Sequence, residues 1–181
     1  MSSSREPAYA VRLTGALDPR SSWRATRCSM ASALHVVSSR SALLILREAF
    51  YGTTRFDDFA ERVGISQPVA AARLRELVDD GLLEREPYRE PGQRTRMAYR
   101  LTAKGAELLP VLVALMQWGD RWLAPDGPPV VLKHRGCGET VRAELRCDAG
   151  HATAAADIEL AVGPGRRPAT EQPIDPVPPE E

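Results

Sequence analysis

Cysteine is scarce in this 181-residue chain. Its three cysteines, Cys28, Cys137 and Cys147, are irregularly spaced, which excludes a disulfide scaffold. Long apolar runs are missing too. No stretch is long enough to span a bilayer and the N-terminus carries no signal-peptide pattern, so a soluble cytoplasmic protein is expected. Net charge is also absent, 24 basic residues offsetting 24 acidic ones. That excludes a uniformly basic surface but leaves room for segregated charge, as in the acidic Asp157, Glu159, Glu171, Asp175, Glu180 and Glu181 near the C-terminus. No paired carboxylates, nucleophile–base set or phosphate-binding glycine loop occurs in a supporting context. An enzyme and a bound cofactor are therefore not expected.

What the chain does have is punctuated helical periodicity from Phe56 onward. Phe56, Phe59, Ala60 and Val63 recur at helical spacing and stop at Gly64. Ser66 is a good N-cap for a second helix, which carries Ala70, Leu74, Leu77 and Val78 on one face and ends at Gly81. Two short amphipathic helices joined by a tight glycine-containing turn match the helix-turn-helix pattern, whose second helix enters the major groove of DNA. After Gly81 the period changes. Leu82 to Glu86 reads as a strand, Met97 to Leu101 as its return, and PYREPGQRTR as the turn between them. Gly81 to Lys104 holds six basic residues against three acidic ones. A basic hairpin directly after such a helix is a wing suited to phosphates; the bland alternative is a solvated surface hairpin.

Helical spacing turns Pro68, Val69, Ala72, Arg73 and Glu76 away from the core. Only the N-terminal half of such a helix reaches base edges, which selects Ser66, Gln67, Val69, Ala72 and Arg73, with Arg75 on the flank. Gln67 suits adenine, Arg73 guanine, and Val69 and Ala72 thymine methyl groups. Equally, Arg73 suits a phosphate or a surface ion pair, and Val69 simple packing under the wing. Ala70, Ala71 and Ala72 leave few base-reading groups, so recognition is expected to rest on two symmetric half-sites and DNA shape. In the wing, Arg94 and Arg96 are the candidate phosphate ligands.

Around this segment, Met30 to Val37 and Ser41 to Tyr51 read as helices, and Thr102 caps a long helix to about Leu123. Its part LLPVLVALMQW, from Leu108, is apolar almost all round, with Pro110 expected to kink it. One small domain covers one face of such a helix, so a second subunit is expected on Leu108, Val111, Leu112, Leu115, Trp118 and Trp122. The alternative cover is residues 130–163 of the same chain. The expected division is a flexible arm (1–27), a DNA-binding and dimerisation domain (28–123), a linker (124–129), a small β appendage (130–163) and a disordered tail (164–181). The fold class is mainly α with small β, a winged helix-turn-helix plus a small β-rich C-terminal appendage.

In the appendage VVLKH from Val130, TVRAELR from Thr140 and ADIELAV from Ala156 read as three short strands. His134-x2-Cys137 and Cys147-x3-His151 have the spacing of zinc ligands. The alternative is a metal-free hairpin.

Cys28, SALLILREAFYGTTRF from Ser41, GISQPVAAARLRELVDDGLLER from Gly64 and YRLTAKGAELLPVLVALMQWG from Tyr99 together resemble the HxlR-type winged-helix transcriptional regulators. The resemblance runs from Cys28 to about Trp122, roughly half of the chain, and rests on the ordered set of segments. It implies a homodimer that binds double-stranded operator DNA and regulates nearby genes. The chain departs from the pattern at Ser39 to Ser41, where many relatives have Gly-Arg-Trp, and at Cys28-Ser29, where they have Cys-Pro. Some relatives carry a Cys-x2-Cys knuckle in the tail; Gly150 stands where its second cysteine would be, so no bound zinc is expected. In some members a cysteine near position 28 senses oxidants or electrophiles. Arg24 and Arg27 would favour a thiolate there, whereas simple packing at the helix start is the plainer role of Cys28. Two rivals to a DNA-binding regulator are a protein-binding winged helix and a redox-sensing regulator acting through Cys28.

Overall fold

The computed structural model describes residues 11–23, 28–37, 39–89, 91–92 and 94–165. Its contacts form two compact units, residues 1–32 with 144–181, and residues 33–143. The second holds the expected core. Helices α1 (Ser29–Val36, which begins in the first unit), α2 (Arg40–Phe50), α3 (Phe56–Val63) and α4 (Gln67–Asp79) precede a hairpin of β2 (Leu83–Tyr88) and β3 (Arg96–Leu101). Ala42, Ile45 and Leu46 of α2, Phe59 of α3, Leu74 and Leu77 of α4, and Leu82 and Leu83 fill one apolar core. Each comes from the inward stripe of its element, so burial selects the helical phase and the strand register together. β2 and β3 pair antiparallel from Leu83–Leu101 to Tyr88–Arg96, and an isolated bridge joins Arg55 to Ala98 on the other side of β3. The result is mainly helical with small β elements, a winged helix-turn-helix.

Local chemistry sets the boundaries. Ser39 caps α2 by accepting the Ala42 amide at 3.1 Å. Gly64 ends α3 at φ 71°, the left-handed conformation that lets the chain turn at once into α4. Ser66 is the N-cap of α4 by backbone geometry, though its hydroxyl makes no capping bond. Sequence reasoning missed a buried polar group here. Glu48 accepts from Arg47 at 2.7 Å and from the buried Thr53 hydroxyl at 3.4 Å, and Arg62 of α3 donates to Thr53 at 3.3 Å. These bonds tie the end of α2 to the first helix of the helix-turn-helix.

The long helix expected from Thr102 to Leu123 is two helices, α5 (Ala103–Ala106) and α6 (Leu109–Trp122). Proline lacks an N–H and clashes with the carbonyl four residues earlier, so Pro110 sits in the first turn of a new helix, where neither matters. It starts a helix; it does not kink one. Thr102 caps α5 as expected, accepting the Gly105 amide at 3.0 Å, and its hydroxyl also donates to the Gly81 carbonyl at 2.7 Å.

Two expectations for the chain ends need correction. Within the arm read as flexible, residues 11–23 are ordered. β1 (Arg12–Leu13) pairs in parallel with β4 (Glu159–Leu160), Leu17 is buried, and the Trp23 indole donates to the Leu17 carbonyl at 2.7 Å. Residues 1–10 and 24–27, and 166–181 of the expected tail, lie outside the described residues. The three expected appendage strands do not form a sheet. The Val130 and Thr140 segments meet only at a Lys133–Thr140 bridge, and the Ala156 segment contributes β4 to the N-terminal strand. Backbone groups that a ladder would use are taken by α6 instead. The Gln117 carboxamide donates to the Val141 carbonyl at 2.7 Å and accepts the Ala143 amide at 3.0 Å.

Candidate nucleic-acid interface

The outward side of α4 is laid out as its period requires. Ala70, Leu74 and Leu77 are buried, while Ser66, Gln67, Pro68, Val69, Arg75 and Glu76 are exposed. Ala72 and Arg73 are half-buried between the two faces. Gln67 and Val69 therefore stand free in the first turn, where a helix entering a groove meets base edges. Val69 is 41% exposed. Arg73 is restrained, its guanidinium making an ion pair of 2.5 Å with Glu76 one turn on. Arg75 has no ion-pair partner among the described residues.

The wing carries its cations unevenly. Arg94 is exposed and unpaired among the described residues, whereas Arg96 lies 3.9 Å from Asp57 in the first turn of α3. Across the hairpin Arg100 is paired with Glu86, so two of the wing's charges cancel locally. Arg85, on β2, is a further exposed cation that sequence reasoning counted without singling out. Near the turn end of the hairpin Arg55 lies over the Tyr88 ring at 5.5 Å, beside a cleft of about 400 Å³ between α3 and the hairpin. Glu90 and Gln93 of the wing turn lie outside the described residues.

α5 fixes the wing relative to α4. Lys104 donates to the Asp80 carbonyl at 2.6 Å at the end of α4, and Thr102 holds the Gly81 and Leu82 carbonyls that lead into β2. Gly105 makes this approach possible: a Cβ there would fall 2.1 Å from the Leu82 carbonyl oxygen. The sequence signal was the Thr-x-x-Gly spacing, of which only the cap was read.

The residues assigned to a subunit contact divide into two sets. Leu108 and Leu112 pack partly against the core of their own chain. Val111, Leu115, Trp118 and Trp122 are 53–67% exposed and follow the i, i+4, i+7, i+11 spacing of one helical stripe. Cys28 is half-buried just before α1, and its carbonyl accepts the Ser32 amide at 3.0 Å. Arg24 and Arg27, which would favour its thiolate, lie outside the described residues. In the appendage His134 Nδ1 lies 3.2 Å from Cys137 Sγ, and both Cys137 and Cys147 are exposed. Among the described residues no three metal-ligating side chains are gathered, and no single helix is long and apolar enough to cross a membrane.

A helix-turn-helix followed at once by a two-stranded wing defines a winged helix-turn-helix domain, the fold of a class of transcriptional regulators. Residues 36–127 match the family described as HxlR-like helix-turn-helix, and the chain belongs to that family. It is a regulator and not an enzyme. Among curated proteins it is 44% identical over 139 residues to Rv3095 of Mycobacterium tuberculosis, an uncharacterised HTH-type transcriptional regulator, covering 76% of this chain and 87% of that one. It is 32% identical over 102 residues to the HTH-type transcriptional regulator YodB of Bacillus subtilis, covering 55% and 89%. Among solved structures PA1607, described as a candidate transcription factor, is 35% identical with a TM-score of 0.67, over 82% of this chain and 99% of that one. PA1374 from Pseudomonas aeruginosa is 34% identical with a TM-score of 0.55, over 77% and 95%. Both likenesses extend beyond the span 36–127 and so take in residues outside the winged helix.

Proposed function

We propose that this protein is a homodimeric, sequence-specific DNA-binding regulator working on an operator in the cytoplasm. α4 enters the major groove and the β2–β3 wing grips the flanking phosphates. The observation that carries this reading is the composition of the surface: α4 offers Gln67 and Val69 in its first turn and Arg73 and Arg75 on its sides, and the wing offers an exposed Arg94 that is unpaired among the described residues. Val69 is the single large apolar residue exposed on α4, whereas a protein-binding helix would present an apolar stripe. Ser66 and Ala72 shape the approach, the first at the helix start and the second as a small residue facing the groove floor.

The second subunit is assigned to the α6 stripe of Val111, Leu115, Trp118 and Trp122, a contiguous apolar face of a kind that monomers rarely leave in water. Leu108 and Leu112 support that face from below. Cys28 is a packing residue in this reading. The test is binding of the full-length protein to a duplex from its own promoter region, measured by fluorescence anisotropy across a salt series. Affinity should fall steeply with salt and exceed that for a scrambled duplex. Binding with no salt dependence, or no binding, would refute the DNA reading and favour a protein partner.

A further inference from the structure

We infer that Glu76 is a positioning residue that sets the discrimination of this regulator between its operator and other DNA; this rests on the proposal that α4 enters the groove. Glu76 lies on the outward face of α4, one turn beyond Ala72, with its side chain 52% exposed. Helical side chains lean toward the N-terminus, so its carboxylate reaches back to the level of Arg73 and holds that guanidinium at 2.5 Å. Two consequences follow from this placement. One edge of the Arg73 fork is occupied by Glu76, so the remaining N–H groups are presented in a fixed direction toward a base or phosphate oxygen. A carboxylate on the groove-facing side also repels phosphates wherever the helix is not in register, which weakens binding to arbitrary sequence. The pair gives up general attraction for DNA in return for selectivity, and it explains how a helix with three consecutive alanines can still discriminate.

The experiment compares full-length wild type, Glu76→Gln, Arg73→Gln and the double variant. Each is titrated against the footprinted operator duplex and a scrambled duplex of equal length, at one ionic strength. Glu76→Gln keeps the shape of the side chain on an exposed helix face, and a circular-dichroism melt checks that the fold is retained; Glu76→Ala serves as the second variant. The expected result is tighter binding of scrambled DNA and an operator-to-scrambled ratio reduced about ten-fold. In the Arg73→Gln background the same substitution should reduce the ratio distinctly less than in wild type, because only the phosphate repulsion is then lost and the group it positions is already gone. An unchanged ratio in Glu76→Gln, or an equal loss in both backgrounds, overturns Glu76 as the positioning residue of Arg73 while leaving the DNA reading intact. Absence of wild-type binding to either duplex would overturn the DNA reading and this inference with it.

Discussion

Gly105→Ala tests whether the wing is held where the DNA-binding reading needs it. The added Cβ would meet the Leu82 carbonyl oxygen at 2.1 Å and carbon at 3.0 Å, with Leu101 Cδ2 at 3.2 Å. Two of these atoms belong to the backbone, which has no rotamer to change, so α5 must lift away from the α4–β2 turn. Alanine itself favours a helix by about 1 kcal/mol over glycine. Against that stand an overpacking cost of about 1–3 kcal/mol or more and about 1 kcal/mol for the Thr102 cap that α5 would strain. The net expectation is a loss of about 2 kcal/mol, seen as a urea midpoint lowered by about 1 M. DNA affinity should fall as well, since Thr102 and Lys104 tie the wing to the end of α4. Gly119→Ala is the control. It sits within α6 with nothing within 4 Å of its Cβ position, so it should be neutral or stabilising by up to about 1 kcal/mol. A Gly105→Ala protein as stable as wild type would refute the packing argument.

Arg94→Ala should weaken operator and scrambled DNA alike and reduce the salt slope by about one unit, with a smaller effect for Arg96→Ala because Asp57 already shares its charge; equal binding at all salt concentrations would remove the wing from the interface. Leu115→Asp combined with Trp118→Asp should convert a dimer to monomer in light scattering, because both side chains are exposed on one stripe. A wild-type chain that is monodisperse and monomeric at micromolar concentration would contradict that assignment. Gln117→Leu should release the Val141 and Ala143 backbone and leave the 130–143 segment open to protease, with the winged helix still folded; unchanged cleavage kinetics would show that the amide does not hold the segment.

The winged helix was legible because its signals are local. The Thr102 cap, Ser66 at the N-cap position of α4, the glycines at 64 and 81, and the switch from helical to alternating period are all read within a few residues of where they stand. Pro110 was legible as a disturbance, but the sequence did not say whether it bends a helix or begins one, since both satisfy its missing N–H. The Ala156 segment was legible as a strand, but its pairing with Arg12–Leu13 was not, as a two-residue strand so far away in sequence leaves no periodicity to read. At the candidate site the spacing turned Gln67, Val69 and Arg73 outward; Gln67 and Val69 are exposed, whereas Arg73 is half-buried between the two faces. It did not reveal that Arg73 is held by Glu76, or that Arg96 faces Asp57, because either arginine had several partners within reach.

Hydroxyl-radical footprinting of the full-length protein on its own promoter region decides whether a dimer reads DNA through α4. Two protected patches related by a dyad are expected, their centres about 10 base pairs or a multiple of that apart, both fading as salt is raised. No protection at any protein concentration, or a single patch with no symmetry-related partner, would contradict that reading.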